Sequence, residues 1–239
     1  MKSRTEYGAD YVAWKEWGGN FATLQPGQRA YLSAEIGRTG LKHIDSVLDI
    51  GFGNGNFLRF AKERGWHVVG TETNPELLRI GRQHKFDVLG ADELAALPGS
   101  SFDLITAFDV LEHIPDADLP ALLSTLRSKL RTDGVLLARF PNGDSPLGLA
   151  YQHGDLTHTT ILGRMKAEYF AQMSDLAITY IRGQSEPIIC GSVLHSARRL
   201  IAVPVKAAAE MMLRALFFPE VQRGFLSPNL VVGFQRRRT

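Results

Sequence analysis

The chain has 239 residues, of which 44% are hydrophobic, so it is long enough to form one large domain with its own core. Its 27 basic and 25 acidic residues give a formal net charge of +2, which is too balanced for a protein that binds nucleic acid through a basic surface. The single cysteine, Cys190, excludes an internal disulfide and is typical of a reducing compartment. The first ten residues lack the apolar core of a secretion signal, so we expect a cytoplasmic protein.

Short apolar runs alternate with helical patterns between residues 45 and 140. Strands are predicted at Ser46–Ile50, His67–Glu72, Phe86–Gly90, Phe102–Ala107 and Gly134–Phe140. Helices are predicted between them at Asn56–Arg64, Pro75–His84 and Leu119–Leu130, with Asn74 as the N-cap of the second. Strands that alternate with helices predict an α/β fold with a doubly wound, mostly parallel sheet that carries helices on both faces.

The pattern changes after Pro141. Residues 141–163 contain proline, glycine, aspartate and two histidines without periodicity, which indicates a long functional loop. A helix, a strand, a long helix and a closing strand are predicted next, at Arg164–Met173, Ala177–Arg182, Val193–Phe218 and Leu230–Phe234. Pro204 is expected to kink or split the long helix.

Three glycines, Gly51, Gly53 and Gly55, directly follow the first strand. Glycines at this place let the backbone approach a nucleotide-like ligand at the carboxyl end of the strand. The dinucleotide fingerprint G-x-G-x-x-G would place its third glycine at Asn56, so the G-x-G-x-G spacing favours a ligand without a pyrophosphate. Asp49, just before the loop, is poorly placed for a phosphate and well placed for a cationic amino-acid group.

Two further acids follow the second and third strands. Glu72 ends the second strand, where a carboxylate can accept hydrogen bonds from both hydroxyls of a ribose, as it also does in NAD-binding proteins. Asp92 follows the third strand and is placed to accept a hydrogen bond from an adenine amino group. The alternative, compatible with the first, is that Asp92 caps a short helix that ends at Leu97.

Five segments resemble, in order, the successive motifs of class I S-adenosylmethionine (SAM) dependent methyltransferases: VLDIGFGNGNFL, VVGTE, GADELAALP, FDLITAFDVLEHI and GVLLARFPN. The resemblance covers roughly residues 45–142. It implies a Rossmann-like sheet of seven strands in the order 3-2-1-4-5-7-6, whose last two strands form an antiparallel hairpin. It implies SAM as the cofactor, with a binding site formed by Asp49, Gly51, Phe52, Gly53, Gly55, Glu72, Asp92, Phe108 and Asp109.

The same resemblance implies a role for each part of that site. The glycines shape it and Asp49 anchors their loop, while Glu72 holds the ribose and Asp92 the adenine. Phe108 and Asp109, just after the fourth strand, line the pocket near the methionine part of the cofactor.

The methyl acceptor is indicated by two features. The family pattern for planar amines, an Asn or Asp followed by two prolines and an aromatic residue, is replaced by FDVL after Ala107, which disfavours a nucleobase amine. The segments PNGDSP and YQHGDLTH within residues 141–163, and the late SPNL, resemble methyltransferases encoded with bacterial cell-surface polysaccharide genes. This resemblance implies transfer to a hydroxyl of a saccharide or surface-glycan precursor. A lipid, quinone-like or other small acceptor, or a subunit that binds SAM without turnover, is the alternative.

A sugar hydroxyl is a poor nucleophile until its proton leaves, and histidine is a suitable base at neutral pH. His158 is the first candidate, with Asp155 orienting it or binding the sugar, and His153 is the second. The alternative for these three residues is a loop held by hydrogen bonds. A metal bound by all three is disfavoured because their spacing matches no standard site, so we expect none. His113 is expected to support the site without selecting the acceptor.

The predicted long helix has a broad apolar arc that needs cover. The three charges between Leu200 and Phe218, together with Pro204, exclude a comfortable membrane span. Packing on the domain itself, or on a second subunit of a homodimer, is the first expectation for this arc. Peripheral contact of residues 198–218 with the inner face of a membrane is the alternative.

The sequence therefore predicts two parts. Residues 1–44, which include Tyr7, Tyr11, Trp14 and Trp17, form an N-terminal helical cap over the sheet. Residues 45–239 form the methyltransferase domain, with the acceptor-site loop at about 141–163 and a helical insert at about 193–218.

Overall fold

The computed structural model describes Lys15, Trp17, residues 20–217, Gly224 and residues 226–237. The described part of the chain contains a seven-stranded sheet in the order β3-β2-β1-β4-β5-β7-β6. The strands are β1 Ser46–Ile50, β2 His67–Glu72, β3 Asp87–Gly90, β4 Phe102–Phe108, β5 Leu130–Pro141, β6 Leu176–Gly183 and β7 Asn229–Arg236. Strands β1 to β5 are parallel, and β7 pairs antiparallel with both β5 and β6. The predicted fold class and strand order are confirmed.

Helices connect these strands. They are α1 Pro26–Arg38, α2 Asn56–Glu63, α3 Pro75–Gln83, α4 Leu119–Lys129, α5 Leu149–Gly154, α6 Arg164–Met173 and α7 Val193–Phe217, with short 3₁₀ turns at Ala91–Ala96 and Leu111–His113. The predicted cap of α3 is confirmed, since Asn74 Oδ1 accepts hydrogen bonds from the backbone N–H groups of Glu76 and Leu77. No helix of the described residues is both long and apolar enough to cross a membrane.

The core has one layer on each face of the sheet. Leu48 and Ile50 of β1 pack in the layer that contains α4 and α6, and Val47 packs in the layer that contains α1, α2 and α3. Apolar side chains are needed on both faces, so the central strands are nearly continuous apolar runs. Asp49 is an exception in β1, and it lies at the end of the strand where the glycine loop begins.

The structure differs from the sequence prediction at the start of the fifth strand, in the segment that follows this strand, and in the long helix. β5 begins at Leu130 rather than Gly134, because Leu130 pairs with β4 before the register shifts. The expected loop at residues 141–163 contains the short helix α5. Pro204 does not split α7, which is continuous from Val193 to Phe217, and Pro204 lies on the exposed side of the helix.

The carboxyl ends of β1, β2, β4 and β5 form one edge of the sheet. The end of β6 lies at the same edge, because Gly183 pairs with Leu230 while Pro141 pairs with the neighbouring Asn229. Helix α7 lies in the connection from β6 to β7, so the chain leaves this edge before α7 and returns to it afterwards. Of the predicted N-terminal cap, α1 and Trp17 are described, whereas Tyr7, Tyr11 and Trp14 lie outside the described residues, and the division of the chain at residue 44 stays a prediction.

Candidate functional site

A cavity of about 890 Å³ lies at the carboxyl edge of the sheet. Its size is in the range of cavities that bind small molecules and cofactors. The predicted site residues that line it are Asp49, Gly51, Phe52, Gly53, Glu72, Phe108, Asp109, Asp155 and His158. Three predicted residues, Gly55, Asp92 and His153, lie outside the lining.

The glycine loop between β1 and α2 has a left-handed backbone at each glycine, with φ of +63° at Gly51, +53° at Gly53 and +72° at Gly55. A side chain at Gly51 would also collide with its surroundings, since its Cβ would lie 2.7 Å from Cγ2 of Val110. Gly55 itself is the N-cap of α2 and shapes the loop from behind the cavity wall. These conformations explain the G-x-G-x-G spacing, because other residues adopt them only at a steric cost.

Glu72 joins the end of β2 to this loop. Its Oε2 accepts a hydrogen bond from the backbone N–H of Gly53 at 3.1 Å, and its Oε1 accepts from the N–H groups of Thr73 and Asn74 at 2.7 and 3.1 Å. A carboxylate oxygen has about two acceptor positions, so Oε2 can still accept a hydroxyl of a ligand in the cavity. The carboxylate is therefore fixed in orientation before any ligand binds.

Asp49 lies beneath the loop and is almost completely buried. Burial raises the pKa of its carboxyl group to about 7, against the opposing effect of a hydrogen bond from Thr106 Oγ1, and nearby Glu72 raises it further. Two neighbouring buried carboxyl groups in a cavity wall form a site that a cation would stabilise.

Asp109 and Arg139 form an ion pair at the turn after β4. The Nε atom of Arg139 donates to Asp109 Oδ1 at 2.9 Å, and Nη2 donates to Oδ2. Burial lowers the pKa of Arg139, but the nearby carboxylate of Asp109 outweighs it and raises that pKa above its usual value. The backbone of Asp109 is left-handed, with φ of +57°, so this pair stabilises a strained turn. Arg139 was not among the predicted site residues, although a charged residue within the apolar run of β5 could have indicated a functional position.

Asp92 is exposed, and its neighbour Ala91 lines the cavity in its place. The alternative capping role is not observed for Asp92, because Gly90 is the N-cap of the 3₁₀ turn and its N–H donates to Glu93 Oε2 at 2.8 Å. Contact of Asp92 with an adenine group therefore stays a prediction.

His158 lies in the half of the cavity away from the glycine loop. Its Nδ1 is 3.1 Å from the backbone oxygen of Gln152, which can only accept, so Nδ1 carries the proton and Nε2 has the free lone pair. Nε2 lies 3.9 Å from Oε1 of Glu112. The ring also contacts His113, with 4.6 Å between the ring centres. His158 is thus in the tautomer that a base acting through Nε2 requires.

The side chain of Asp155 contacts Lys15 and Thr157 rather than the His158 ring, and only its backbone oxygen accepts a hydrogen bond from the N–H of His158. Its Oδ2 lies 2.9 Å from Nζ of Lys15, and its Oδ1 accepts hydrogen bonds from the N–H and hydroxyl of Thr157. Burial raises the pKa of the Asp155 carboxyl, but the bonds from Thr157 and Lys15 lower it more, so it is ionised at neutral pH. Gln152, rather than Asp155, orients the His158 ring. His153 is exposed at the end of α5.

Glu112 is the important residue that sequence reasoning passed over. Its side chain is completely buried at the cavity wall, and neither carboxylate oxygen has a hydrogen-bond partner among the described residues. Burial, and secondarily the charge of Asp109, raises its pKa well above the usual value. The only sequence signal was its place beside His113, and the contact with His158 depends on the fold.

Glu112, His113 and His158, here called the Glu112 cluster, have potential ligand atoms within 4.8 Å of one another. Burial lowers the pKa of His113, and His158 lowers it further, so the His113 ring is neutral at neutral pH. Within the described residues these three side chains are the group that could hold a metal ion. The other half of the cavity fits a cationic nucleoside, since it offers Asp49, Glu72 and a glycine loop that a Cβ would partly fill.

Comparison with known proteins agrees with this geometry. The family described as "Methyltransferase domain" matches residues 24–182. A SAM-dependent methyltransferase from Archaeoglobus fulgidus has a similar structure, with a TM-score of 0.63 at 19% identity over 95% of this chain and all of that one. At this identity the similarity concerns the fold alone.

Two sequence relatives carry names that mention an acceptor. A ubiquinone biosynthesis O-methyltransferase of Xanthomonas axonopodis pv. citri (strain 306) is 31% identical over 121 residues, which is 47% of this chain and 48% of that protein. A probable fatty acid methyltransferase of Mycobacterium tuberculosis is 31% identical over 124 residues, which is 48% of this chain and 29% of that protein. The chain matches about half the length of the first relative and less of the second. Neither name refers to polysaccharides, so the resemblance to that group is not shown.

Proposed function

The chain belongs to the methyltransferase domain family and is a SAM-dependent methyltransferase, and from this premise we propose that it methylates a hydroxyl oxygen next to His158. The observation that carries the proposal is the position of His158 Nε2. His158 lines the same cavity as Asp49 and Glu72, and the hydrogen bond of Nδ1 to Gln152 fixes the ring and leaves Nε2 as the basic nitrogen.

We assign the cofactor to the half of the cavity formed by the glycine loop. Glu72 accepts hydrogen bonds from the ribose, and Asp49 lies near the cationic amino-acid part of the cofactor. Asp92 is assigned to the adenine end, next to Ala91 in the lining, while Phe108 and Asp109 line the methionine end. Gly55 contributes through the shape of the loop.

The reaction requires one proton transfer and one methyl transfer. When bound, SAM supplies a methyl group whose bond to sulfur breaks as the acceptor oxygen attacks it, leaving S-adenosylhomocysteine. His158 accepts the hydroxyl proton at Nε2, and a base in this position adds roughly 10²–10⁴-fold to a rate. Glu112, 3.9 Å away, stabilises the imidazolium that results, or takes its proton. Alignment of the two reactants by the cavity supplies the rest of the acceleration.

We place the acceptor among hydroxylated molecules with an apolar portion, such as a lipid or a quinone-like compound. The names of the two relatives support this class. The lining of the cavity supports it as well, since it includes the apolar residues Ile114 and Leu122 and the aromatic ring of Tyr151. A saccharide hydroxyl, to which the resemblance of residues 141–163 points, is the second candidate.

The test is a methyl-transfer screen with labelled SAM over a hydroxylated quinone, a hydroxylated lipid, a lipid-linked glycan and nucleotide sugars. On the acceptor that reacts, His158→Ala should lower kcat by roughly 10²–10⁴-fold with SAM affinity within about twofold of the wild type. His43→Ala, which removes an exposed histidine elsewhere, is the matched control and should keep full turnover. Full turnover of His158→Ala would exclude it as the base, and the same assay on His153→Ala tests the second candidate.

A further inference from the structure

Helix α7 has no buried residue along its 25 residues. Its large apolar side chains are well exposed, with 89% of Val193, 70% of Ile201 and 68% of Met211 accessible to solvent. At 1.5 Å per residue the helix is about 37 Å long. An exposed apolar surface of this length marks a site of interaction.

Most of the apolar residues of α7 lie on one side of the helix, although Ala202, Val203, Ala209, Leu213 and Phe217 lie on the other. With 100° of rotation per residue, half of the circumference contains only apolar side chains from one end of α7 to the other. We call this half the α7 arc; its members are Val193, Leu194, Ala197, Leu200, Ile201, Pro204, Val205, Ala207, Ala208, Met211, Met212, Ala215 and Leu216. Arg198 lies at one border of the arc and Arg214 next to the other, while Arg199, Lys206 and Glu210 lie on the opposite side. The polar side of α7 therefore packs towards the protein, and the α7 arc faces outwards.

Contacts on the polar side fix this orientation. Lys206 forms an ion pair with Glu186 at 2.8 Å, and Arg199 donates to the backbone oxygen of Pro187 at 2.7 Å. Further along, Glu210 accepts a hydrogen bond from the N–H of Gly224. These contacts exclude a rotation of α7 that would bury its apolar side against the domain.

An apolar arc of this kind can be covered by a second copy of the chain or by a lipid surface, and the charge of the helix distinguishes the two. The helix carries four basic residues and one acidic residue, Glu210. In a symmetric pair that buried the α7 arc, Arg198 and Arg214 at its two borders would lie beside the same cations of the second copy, which is unfavourable. An anionic lipid surface would instead attract these two cations, and a wide apolar arc bordered by cations is the pattern of helices that lie in a membrane interface.

We propose that the α7 arc docks the protein on an anionic lipid surface. Both ends of the β6–β7 connection that contains α7 lie at the edge of the sheet that carries the cavity. The chain just before α7 also packs on α1, because a Cβ at Gly27 would lie 3.7 Å from the oxygen of Cys190, and the next residue of α1, Gln28, lines the cavity. The docked protein thus presents the cavity end of the sheet to the lipid.

The test is sedimentation of the full chain with vesicles of phosphatidylethanolamine and phosphatidylglycerol, compared with vesicles of phosphatidylcholine alone. We expect binding to the anionic vesicles and at least tenfold less of it for Ile201→Glu. The matched control is Met173→Glu, which places the same charge at an exposed apolar residue of α6 and should bind within about twofold of the wild type. Unchanged melting temperatures will show that both variants fold.

Three results would overturn the proposal: no binding of the wild type to anionic vesicles, an equal loss in both variants, or a vesicle-free dimer that Ile201→Glu dissociates. The last result would identify a second copy of the chain as the occupant. The measurement requires neither SAM nor an acceptor, so its outcome is independent of the proposed hydroxyl methylation.

Discussion

Asp49 should couple SAM binding to pH. With a pKa of about 7, the carboxyl group is ionised in roughly one tenth of molecules at pH 6 and in roughly nine tenths at pH 8. A cationic ligand binds the ionised form, and an apparent dissociation constant scales inversely with the competent fraction. The Kd for SAM should therefore rise about tenfold as the pH falls from 8 to 6. The sign follows from burial, which disfavours the charge until a cation is present.

The assay is isothermal titration calorimetry with SAM at several pH values between 6 and 8. The amino group of SAM also loses its charge at the upper end of this range, so Asp49→Asn provides the baseline, since it keeps the size of the side chain and cannot ionise. The variant should bind SAM more weakly at pH 8 and show a flatter pH dependence. An identical pH dependence in the two proteins would show that Asp49 does not contact the charged part of the ligand.

Three further changes test the site. Glu72→Ala should weaken SAM binding at least tenfold in calorimetry, as expected for lost charge-assisted hydrogen bonds, and unchanged affinity would remove Glu72 from the site. Gly51→Ala should lower both the melting temperature and the affinity for SAM, because the added Cβ would meet Val110. Its control is Gly65→Ala, at an equally left-handed position with open space around it, which should lose about 1 kcal/mol of stability and keep the affinity for SAM. Dialysis against EDTA should change kcat by less than about twofold if His158 acts as a free base. Loss of activity that a divalent metal restores would instead show that the Glu112 cluster binds a metal.

Much of the fold could be predicted from the sequence because its signals are local. The bounds of β1 and β2 agree with their apolar runs, which need burial on both faces, and Asn74 signals the start of α3 through its own side chain. α5 was missed because its six residues, LAYQHG, include polar residues and a glycine and bury only Gln152. The continuity of α7 through Pro204 was missed because a general rule about proline ignores which side of the helix the residue occupies.

The sequence predicts one half of the candidate site better than the other. The proposed cofactor half is built from residues at strand ends, so the spacing alone predicts that Gly51 and Glu72 lie at one edge of the sheet, where both line the cavity. The acceptor half depends on contacts between distant segments, such as the approach of His158 to Glu112, which lies 46 residues earlier. Spacing along the chain contains no information about that approach, and for this reason Asp155 was given the orienting role that Gln152 has.

Backbone hydrogen bonds hold the two ends of the segment that follows β5 in place. The N–H of Gly143 donates to the oxygen of Leu162 at 2.8 Å, and the N–H groups of Thr159 and Thr160 both donate to the oxygen of Glu112. Residues 145–156 therefore form a cassette with fixed ends, and the entropy of closing such a loop changes little with its length. Since the cassette contributes Ala150, Tyr151 and Asp155 to the cavity lining, its exchange between homologous enzymes should change the molecules they accept, provided that Gln152, which orients the proposed base His158, is kept.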